Sequence, residues 1–488
     1  MSKKCFSYLA KALILFLAII LNVSSAKAET TGYELKFKIN MPDTICYLAH
    51  YFADKQYIQD SARTDSKGVV IFKGKEKLPS GIYLFVFPNK TYFELLVDKQ
   101  QVFNMECDPT NVISTMKANS SEDNFEFYEY LNFIQKQSKE IESLKTDRNI
   151  KVIAKENTDE VDKKMKGIDQ TVMDYKLNYI KLHPEKFLSK IFLASQDVEI
   201  PPAPMLANGK KDSTFGYWYY KNHFFDNFDV ADDRLLRTPI YQSKIASYMK
   251  NLVVQIPDSI IKEADKIIDK GASNYETYKY LVWYFTNTYE TSNIMGMDAV
   301  FVHLAKKYYT KEKATWVDEA SLFKIQDRAK QLDPILLGKK VRNLVLADSA
   351  GVFQSLYNVK AKFTVLFFFD PDCGHCKKTT PVLKAMYDKV KSKDVQVYAI
   401  CTEVEVNKWK QYIRDYKLEW INVGDPELHN NFRHEFDIST TPQIFLLDKD
   451  KIIKAKRIDV ETLQKILYGE LGMEGESIQT TGPREEGH

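Results

Sequence analysis

The chain has 488 residues, 44% hydrophobic and 28% charged, which is too long for one ordinary core and too apolar for a mostly disordered protein. Its 18 glycines and 16 prolines exclude a collagen-like or linker-dominated chain. The 69 basic and 66 acidic residues leave a formal charge of +3, with no basic excess to neutralise phosphates, so nucleic acid is not an expected partner.

Residues 1–28 carry Lys3, Lys4 and Lys11, an apolar run over 12–23, and the small-x-small sequence Ala26-Lys27-Ala28. That run is shorter than the roughly 20 residues a membrane-spanning helix needs, so it reads as an export signal cleaved near Ala28. The alternative is an uncleaved N-terminal anchor. Cys5 precedes the apolar run, unlike a lipoprotein cysteine, and leaves with the leader. The mature protein is expected in the periplasm or cell envelope, with 65 basic against 66 acidic residues once the four leader lysines are gone. Five cysteines remain: Cys46, Cys107, Cys373, Cys376 and Cys401. They are too few, and odd in number, for a disulfide-built scaffold.

Over 29–115 the segments YELKFKI, TICYLAHYF, GVVIFKG, GIYLFVF, YFELLV and VFNMEC are rich in β-branched and aromatic residues. Turn signals such as Asp65-Ser66-Lys67-Gly68 and Pro88-Asn89-Lys90 separate them. They predict a small antiparallel β domain of sandwich type. Cys46 and Cys107 could be bridged within it or be two buried free thiols.

Over 116–335 the apolar period becomes helical, as in Phe127, Tyr130, Leu131 and Ile134, in Val172, Tyr175 and Tyr179, and in Tyr278, Leu281, Val282 and Phe285. An all-α middle domain is expected. Its stretch 217–241 holds Asp226, Asp229, Asp232 and Asp233 but lacks the glycine and terminal glutamate of a calcium loop. Helix caps and an aromatic core account for it, and no metal is assigned.

Over 336–472 strands alternate with helices. FTVLFFF (363–369) is a buried strand, followed by a helix to about 392, the strand VQVYAIC (395–401) and a helix over 405–416. A short extended piece at 420–423 and a helical turn or two at 427–435 come next. The strand pair TPQIFLLD (441–448) and KIIKAKR (451–457) leads to a closing helix over 460–471. This order argues an α/β sheet with helices on both faces. Residues 473–488 are polar and punctuated by Gly and Pro, as in a disordered tail. His183 and His434 read as surface or capping residues.

The most informative feature is Cys373-Gly374-His375-Cys376. Asp370-Pro371-Asp372 turns the chain after the strand, so Cys373 falls at a helix N-terminus, where free N–H groups and the dipole favour a thiolate. A protonated His375 adds to that effect and Asp372 opposes it. Cys376, one turn deeper, is the expected resolving thiol, attacking a mixed disulfide formed at Cys373. The competing readings are a static disulfide or half a zinc site completed near Cys401. No second Cys-x-x-Cys or paired-His motif supplies the missing zinc ligands, whereas Cys-x-x-Cys at a strand-to-helix turn is a strong redox signal.

The segments FTVLFFFDPDCGHCKKTTPVL and FDISTTPQIFLLD resemble a thioredoxin-fold domain of the exported ResA/TlpA-like branch of thiol-disulfide oxidoreductases. The resemblance implies a kinked helix at Pro381 and a cis-proline at Thr441-Pro442, with the backbone of Thr441 placed to pair with a substrate strand. It also implies protein thiols and disulfides as partners, a membrane electron donor if the protein is a reductant, and no cofactor. An oligomeric state does not follow from it. Two positions depart from the family: Phe367 stands six residues before the first cysteine, where thioredoxins carry a buried carboxylate, and Thr379 stands where ResA-like proteins have a glutamate. Water or Asp370 would then accept the proton of the buried thiol. The Gly-His insert is that of protein disulfide isomerases, whose potential is near −180 mV against about −270 mV for thioredoxin. The preceding β and helical regions resemble uncharacterised modules of exported bacterial proteins.

Three functions compete. The first is an exported thiol-disulfide oxidoreductase acting through Cys373 and Cys376. The second is a binding or scaffold protein of the envelope with an accessory redox domain. The third is a peroxiredoxin-like peroxidase, against which Asp370 and Leu366 stand where the peroxide site would have Thr and Pro.

Overall fold

The computed structural model describes residues 32–473. The leader expected over 1–28 and the tail expected beyond Met473 lie outside the described residues. The chain divides into two compact units, the first ending at Leu252 and the second beginning at Val253. The division falls inside the helical stretch and not at the change from helix to strand near 336.

In the first unit, β1 (Tyr33–Ile39), β4 (Val69–Gly74) and β7 (Val102–Cys107) form one sheet in the order β4-β1-β7. A second sheet has the order β3-β2-β5-β6, from β2 (Ile45–Phe52), β3 (Lys55–Arg63), β5 (Gly81–Val86) and β6 (Tyr92–Val97). Strict alternation along β1 buries Tyr33, Leu35, Phe37 and Ile39 on one face. There Phe37 meets Phe85 of β5 with ring centroids 4.8 Å apart, which joins the two sheets. The pairs are antiparallel with one exception: β1 and β7, far apart in sequence and joined by no hairpin, run parallel. Gly68 closes the turn before β4 at φ +71°, and a Cβ there would lie 1.9 Å from the Ile39 carbonyl oxygen.

Helix α1 (Glu122–Ala154) is capped by Ser121, whose side chain accepts from the Asn124 N–H. The buried Asn124 amide bonds both backbone groups of Leu96 at 2.8 Å, covering the open edge of β6 as a further strand would. In the 217–241 stretch, Asp232 caps a 3-10 turn and pairs with Arg234, which also reaches Asp98 at 3.2 Å. Phe224, Phe228, Tyr241 and Tyr248 form the aromatic core there. Cys46 on β2 and Cys107 on β7 are buried, free thiols.

The second unit is built on one sheet of order β14-β13-β10-β11-β12-β8-β9. Its central strands β10 (Phe363–Phe369), β11 (Val395–Cys401) and β12 (Ile421–Gly424) are parallel, and β13 (Gln443–Asp448) pairs antiparallel with β10. All seven residues of β10 are buried, as a strand covered on both faces requires. The edges are β14 (Ile453–Lys456) and the hairpin of β8 (Val345–Asp348) with β9 (Phe353–Ser355), the latter two unanticipated from sequence.

Phe367, Phe369, Val397 and Ala399 face a core shared with Leu383 and Met386, Trp409 and Tyr412, and Leu463 and Leu467. These come from three later helices: Gly374–Val390, Val406–Asp415 and Val460–Leu471. On the opposite face, Leu366, Phe368, Tyr398 and Phe445 pack on Phe301, Val302, Ala305, Ala329, Leu332 and Ile335. The helices covering that face, Asp298–Tyr308 and Glu319–Leu332, therefore belong to the second half of the helical stretch and share the core of the α/β sheet.

Candidate active site

The strand β10 delivers the chain to Asp370, whose side chain accepts the Asp372 N–H at 2.7 Å and whose carbonyl accepts the Cys373 N–H at 3.2 Å. This turn places Cys373 as the cap of the helix Gly374–Val390, hereafter α2. The Cys373 sulfur takes the place of a capping oxygen and accepts the Cys376 N–H at 3.4 Å. Partial burial raises the Cys373 pKa, but the backbone N–H groups of Cys376 and His375 and hydrogen bonding from Thr441 outweigh it and hold the thiol below its ordinary value.

Cys376 lies one turn deeper and is fully buried. Burial pushes its thiol up to about 12, although its sulfur accepts the Asp370 N–H at 3.5 Å. The two thiols are free. One thiol is therefore half-exposed and shifted towards the thiolate, and the other, three residues on, is held protonated in the core.

Across from them the Thr441–Pro442 bond is cis, and the Cys373 sulfur lies 3.3 Å from the Thr441 carbonyl oxygen. Beside Pro442 a groove of about 510 Å³ opens between Thr379 and Val382 on one wall and Ile458 and Val460 on the other. The structure thus brings Cys373, Cys376, Thr441 and Pro442 together. His375 is exposed, and the contribution it makes to the thiolate comes from its backbone. The exposed Asp372 pairs with Lys408 at 2.8 Å, which holds its carboxyl below the usual range.

Among the described residues, one trio of potential metal ligands, Asp370, Asp372 and Glu403, brings its oxygens within 4.8 Å of one another. Lys408 already pairs with one of the three, and the group contains no cysteine. Cys401 is buried in the core next to β10, with its thiol pushed up to about 12 by burial. Phe367, at the position of the absent carboxylate, is buried and stacks on Phe369 with centroids 5.4 Å apart.

Two tyrosines on the helix Val406–Asp415 and its C-cap escaped the sequence reading. Pro381 inside α2 has no N–H, so the Lys377 carbonyl loses its helical partner. Tyr416 donates its hydroxyl to that carbonyl at 3.3 Å. Tyr412 donates to the Cys376 carbonyl at 3.1 Å and lies 2.6 Å from the buried Thr380 hydroxyl. The orphaned carbonyl was legible from Pro381, but its donor, 39 residues away, was not.

This arrangement of strand, capping cysteine, buried second thiol and cis-proline defines a thioredoxin-like dithiol domain. Residues 337–456 match the AhpC/TSA family, and this part of the chain is a thioredoxin-like domain of that family. Residues 152–333 match a domain of unknown function, DUF5106. A thiol-disulfide oxidoreductase ResA of Bacillus cereus is 26% identical over 133 residues, 27% of this chain and 74% of that protein. A thioredoxin-like protein of Haemophilus influenzae is 27% identical over 119 residues, 23% of this chain and 66% of that protein. Among solved structures, a domain of a possible thiol-disulfide isomerase from Cytophaga hutchinsonii is 42% identical, covering 28% of this chain and 95% of that one, with a TM-score of 0.27. A thioredoxin-like protein from Bacteroides caccae is 19% identical, covering 55% of this chain and 98% of that one, with a TM-score of 0.44. No helix among the described residues is long and apolar enough to cross a membrane.

Proposed function

We propose that the protein is an exported thiol-disulfide oxidoreductase that exchanges disulfides with protein substrates through Cys373 and Cys376. The observation that carries this reading is the capping geometry of Cys373, whose sulfur accepts a helical N–H while the Cys376 thiol stays buried and protonated one turn below. Relatives named as thiol-disulfide oxidoreductases support it. The proposed export rests on the leader pattern of residues 1–28.

In the reducing direction the Cys373 thiolate attacks a substrate disulfide, forming a mixed disulfide and releasing one substrate thiolate. The Cys376 sulfur then attacks the Cys373 sulfur. The S–S bond to the substrate breaks, the Cys376 proton passes to the departing substrate sulfur, and two electrons have moved from the dithiol to the substrate. Oxidation of a substrate dithiol is the reverse sequence. The carbonyl of Thr441, 3.3 Å from the Cys373 sulfur, supports the reading that an incoming strand pairs with this backbone beside the mixed disulfide.

The AhpC/TSA match also raises a peroxidase. Against it, Leu366 is buried within β10, and Asp370 contributes only its backbone N–H to the Cys376 sulfur. The test is equilibration of the mature protein in glutathione buffers, with alkylated thiols counted by mass spectrometry. A reversible two-electron step confined to Cys373 and Cys376, absent in Cys373→Ser, is expected. A midpoint near −270 mV marks a reductant, and roughly −180 to −120 mV an isomerase or oxidant. Absence of any transition sinks the reading, and rapid peroxide consumption lost in Cys373→Ser replaces it with the peroxidase.

A further inference from the structure

The loop that carries the cis-proline runs from the short helix Phe432–Glu435 to β13, and its own residues Ser439 and Thr440 are exposed. What fixes it is Asp437, only 5% exposed and held at φ +53°. A carboxylate so buried is untenable unless it is paired and hydrogen-bonded. Asp437 meets two guanidinium groups. Arg328 binds it as a fork, Nη1 to Oδ1 and Nη2 to Oδ2, the second contact at 2.9 Å. Arg457, which follows β14, donates to Oδ2 as well.

The same stretch is tied at further points. Gln331, one turn beyond Arg328, donates to the His434 carbonyl at 2.8 Å and accepts from Arg328 at 3.0 Å. Arg342 pairs with Glu435. Gln443, directly after Pro442, donates to the Asp437 carbonyl at 3.3 Å, so the loop closes on its own anchor. Arg328 and Gln331 lie on the helix Glu319–Leu332, inside the stretch that matches the domain of unknown function and ahead of the AhpC/TSA match.

We propose that Arg328, through its fork onto Asp437, is a positioning residue for disulfide exchange: it sets where Thr441 and Pro442 present the substrate-pairing backbone to Cys373. The helical region thereby supplies part of the redox site's machinery and does more than cover the sheet. The inference rests on the proposed exchange reaction. Arg328 touches neither sulfur, and the donors that tune Cys373 lie on α2 and at Thr441. Its loss therefore acts chiefly on substrate docking and reaches the dithiol only through the Thr441 contact, a smaller effect because the Cys376 and His375 N–H groups stay in place on α2.

The test compares the full-length protein with Arg328→Gln and Arg328→Lys. Three quantities are read: the KM and kcat for exchange with insulin as a disulfide-bearing polypeptide, the Cys373–Cys376 midpoint potential, and the rate at which iodoacetamide alkylates Cys373. Arg328→Gln is expected to raise KM about tenfold, the order of effect seen for residues that couple through a packed element. The equilibrium constant of the dithiol with glutathione, kcat and the alkylation rate each stay within about twofold. Arg328→Lys, which keeps the charge and loses the fork, falls between.

An unchanged KM overturns the inference, as does a KM that moves in step with the potential and the alkylation rate. If Arg328→Gln does not fold, shown by alkylation of buried Cys401 without denaturant, the milder Gln331→Ala decides. A KM raised about two- to threefold with an unchanged potential supports the inference, and a wild-type KM overturns it. A wild-type protein that exchanges no disulfide sinks the exchange reading and this inference with it. A wild-type protein that does, with variants that match it, sinks the inference alone.

Discussion

Cys46 and Cys107 in the first unit and Cys373 in the second have opposite fates. Cys46 and Cys107 sit on strands, opposite Ala62 and Ile39, where the backbone N–H groups around them are committed to ladders. Burial then acts unopposed and pushes Cys46 up to about 11 and Cys107 up to about 12. Cys373 sits at a helix N-terminus, where N–H groups have no helical partner, and its sulfur accepts one of them. The residue type is the same at all three positions. What differs is whether the local fold leaves donors free to hold a thiolate.

The largest effect this contrast predicts is in selective labelling. At pH 7 a thiol with a pKa of 11 to 12 is ionised to only about one part in 10⁴ to 10⁵, whereas a free thiol is ionised to about a few per cent and one held below its ordinary value to more than a free thiol. Brief treatment of the reduced, native chain with iodoacetamide should therefore label Cys373 more than about 10²-fold faster than Cys46, Cys107, Cys376 or Cys401. The Cys373 rate should rise with pH and level off below the range of a free thiol, because only the thiolate reacts. Peptide mapping by mass spectrometry reads both. Label arriving at Cys46 or Cys107 as fast as at Cys373 would break the comparison.

Much of this site was legible because its determinants are local. FTVLFFF is apolar at every position, as a strand buried on both faces must be, and Asp370-Pro371-Asp372 ends it before the cysteines. The alternation of β1 likewise declared one buried face. What stayed hidden depends on partners far along the chain. Helical periodicity shows that Phe301 and Leu332 face a core but not whose core, and the structure gives them to the α/β sheet. The β8–β9 hairpin has strands of four and three residues with Val345 and Phe353 exposed, so no apolar alternation announces it. The pairing of Arg328 with Asp437 spans 109 residues, and no spacing rule reaches that far.

A second effect, intermediate in size, tests the contrast by its sign. Cys107 has a folded pKa raised by burial, so its contribution to stability is complete below the unfolded value of about 8.5 and is lost as pH climbs towards about 12. Cys373 has a lowered folded pKa, so its contribution is present above the unfolded value and is lost as pH falls through the folded one. Urea midpoints of the reduced protein between pH 8 and 10, taken against Cys107→Ala and Cys373→Ala, separate the two. Removing Cys107 should flatten the alkaline loss of stability by up to about 1.4 kcal/mol per pH unit. Removing Cys373 should steepen it. Slopes that move the same way in both variants would mean that the strands and the helix N-terminus treat their thiols alike.

The smallest effect concerns the helix that makes the difference. Pro381 leaves the Lys377 carbonyl of α2 without its helical donor, and the Tyr416 hydroxyl meets it at 3.3 Å. Tyr416 is half-exposed, so water can take over that role when the hydroxyl is removed. Tyr416→Phe should cost under about 1 kcal/mol in a urea melt. The sulfur acceptor at Cys373 sits at the preceding cap, bonded to the Cys376 N–H and not to the carbonyls that the tyrosines hold. The variant should therefore leave the Cys373 alkylation rate within about twofold of wild type. A loss of several kcal/mol, or a slowed Cys373, would mean that the helix end holding the thiolate depends on the tyrosine clamp at the proline as well as on its own free N–H groups.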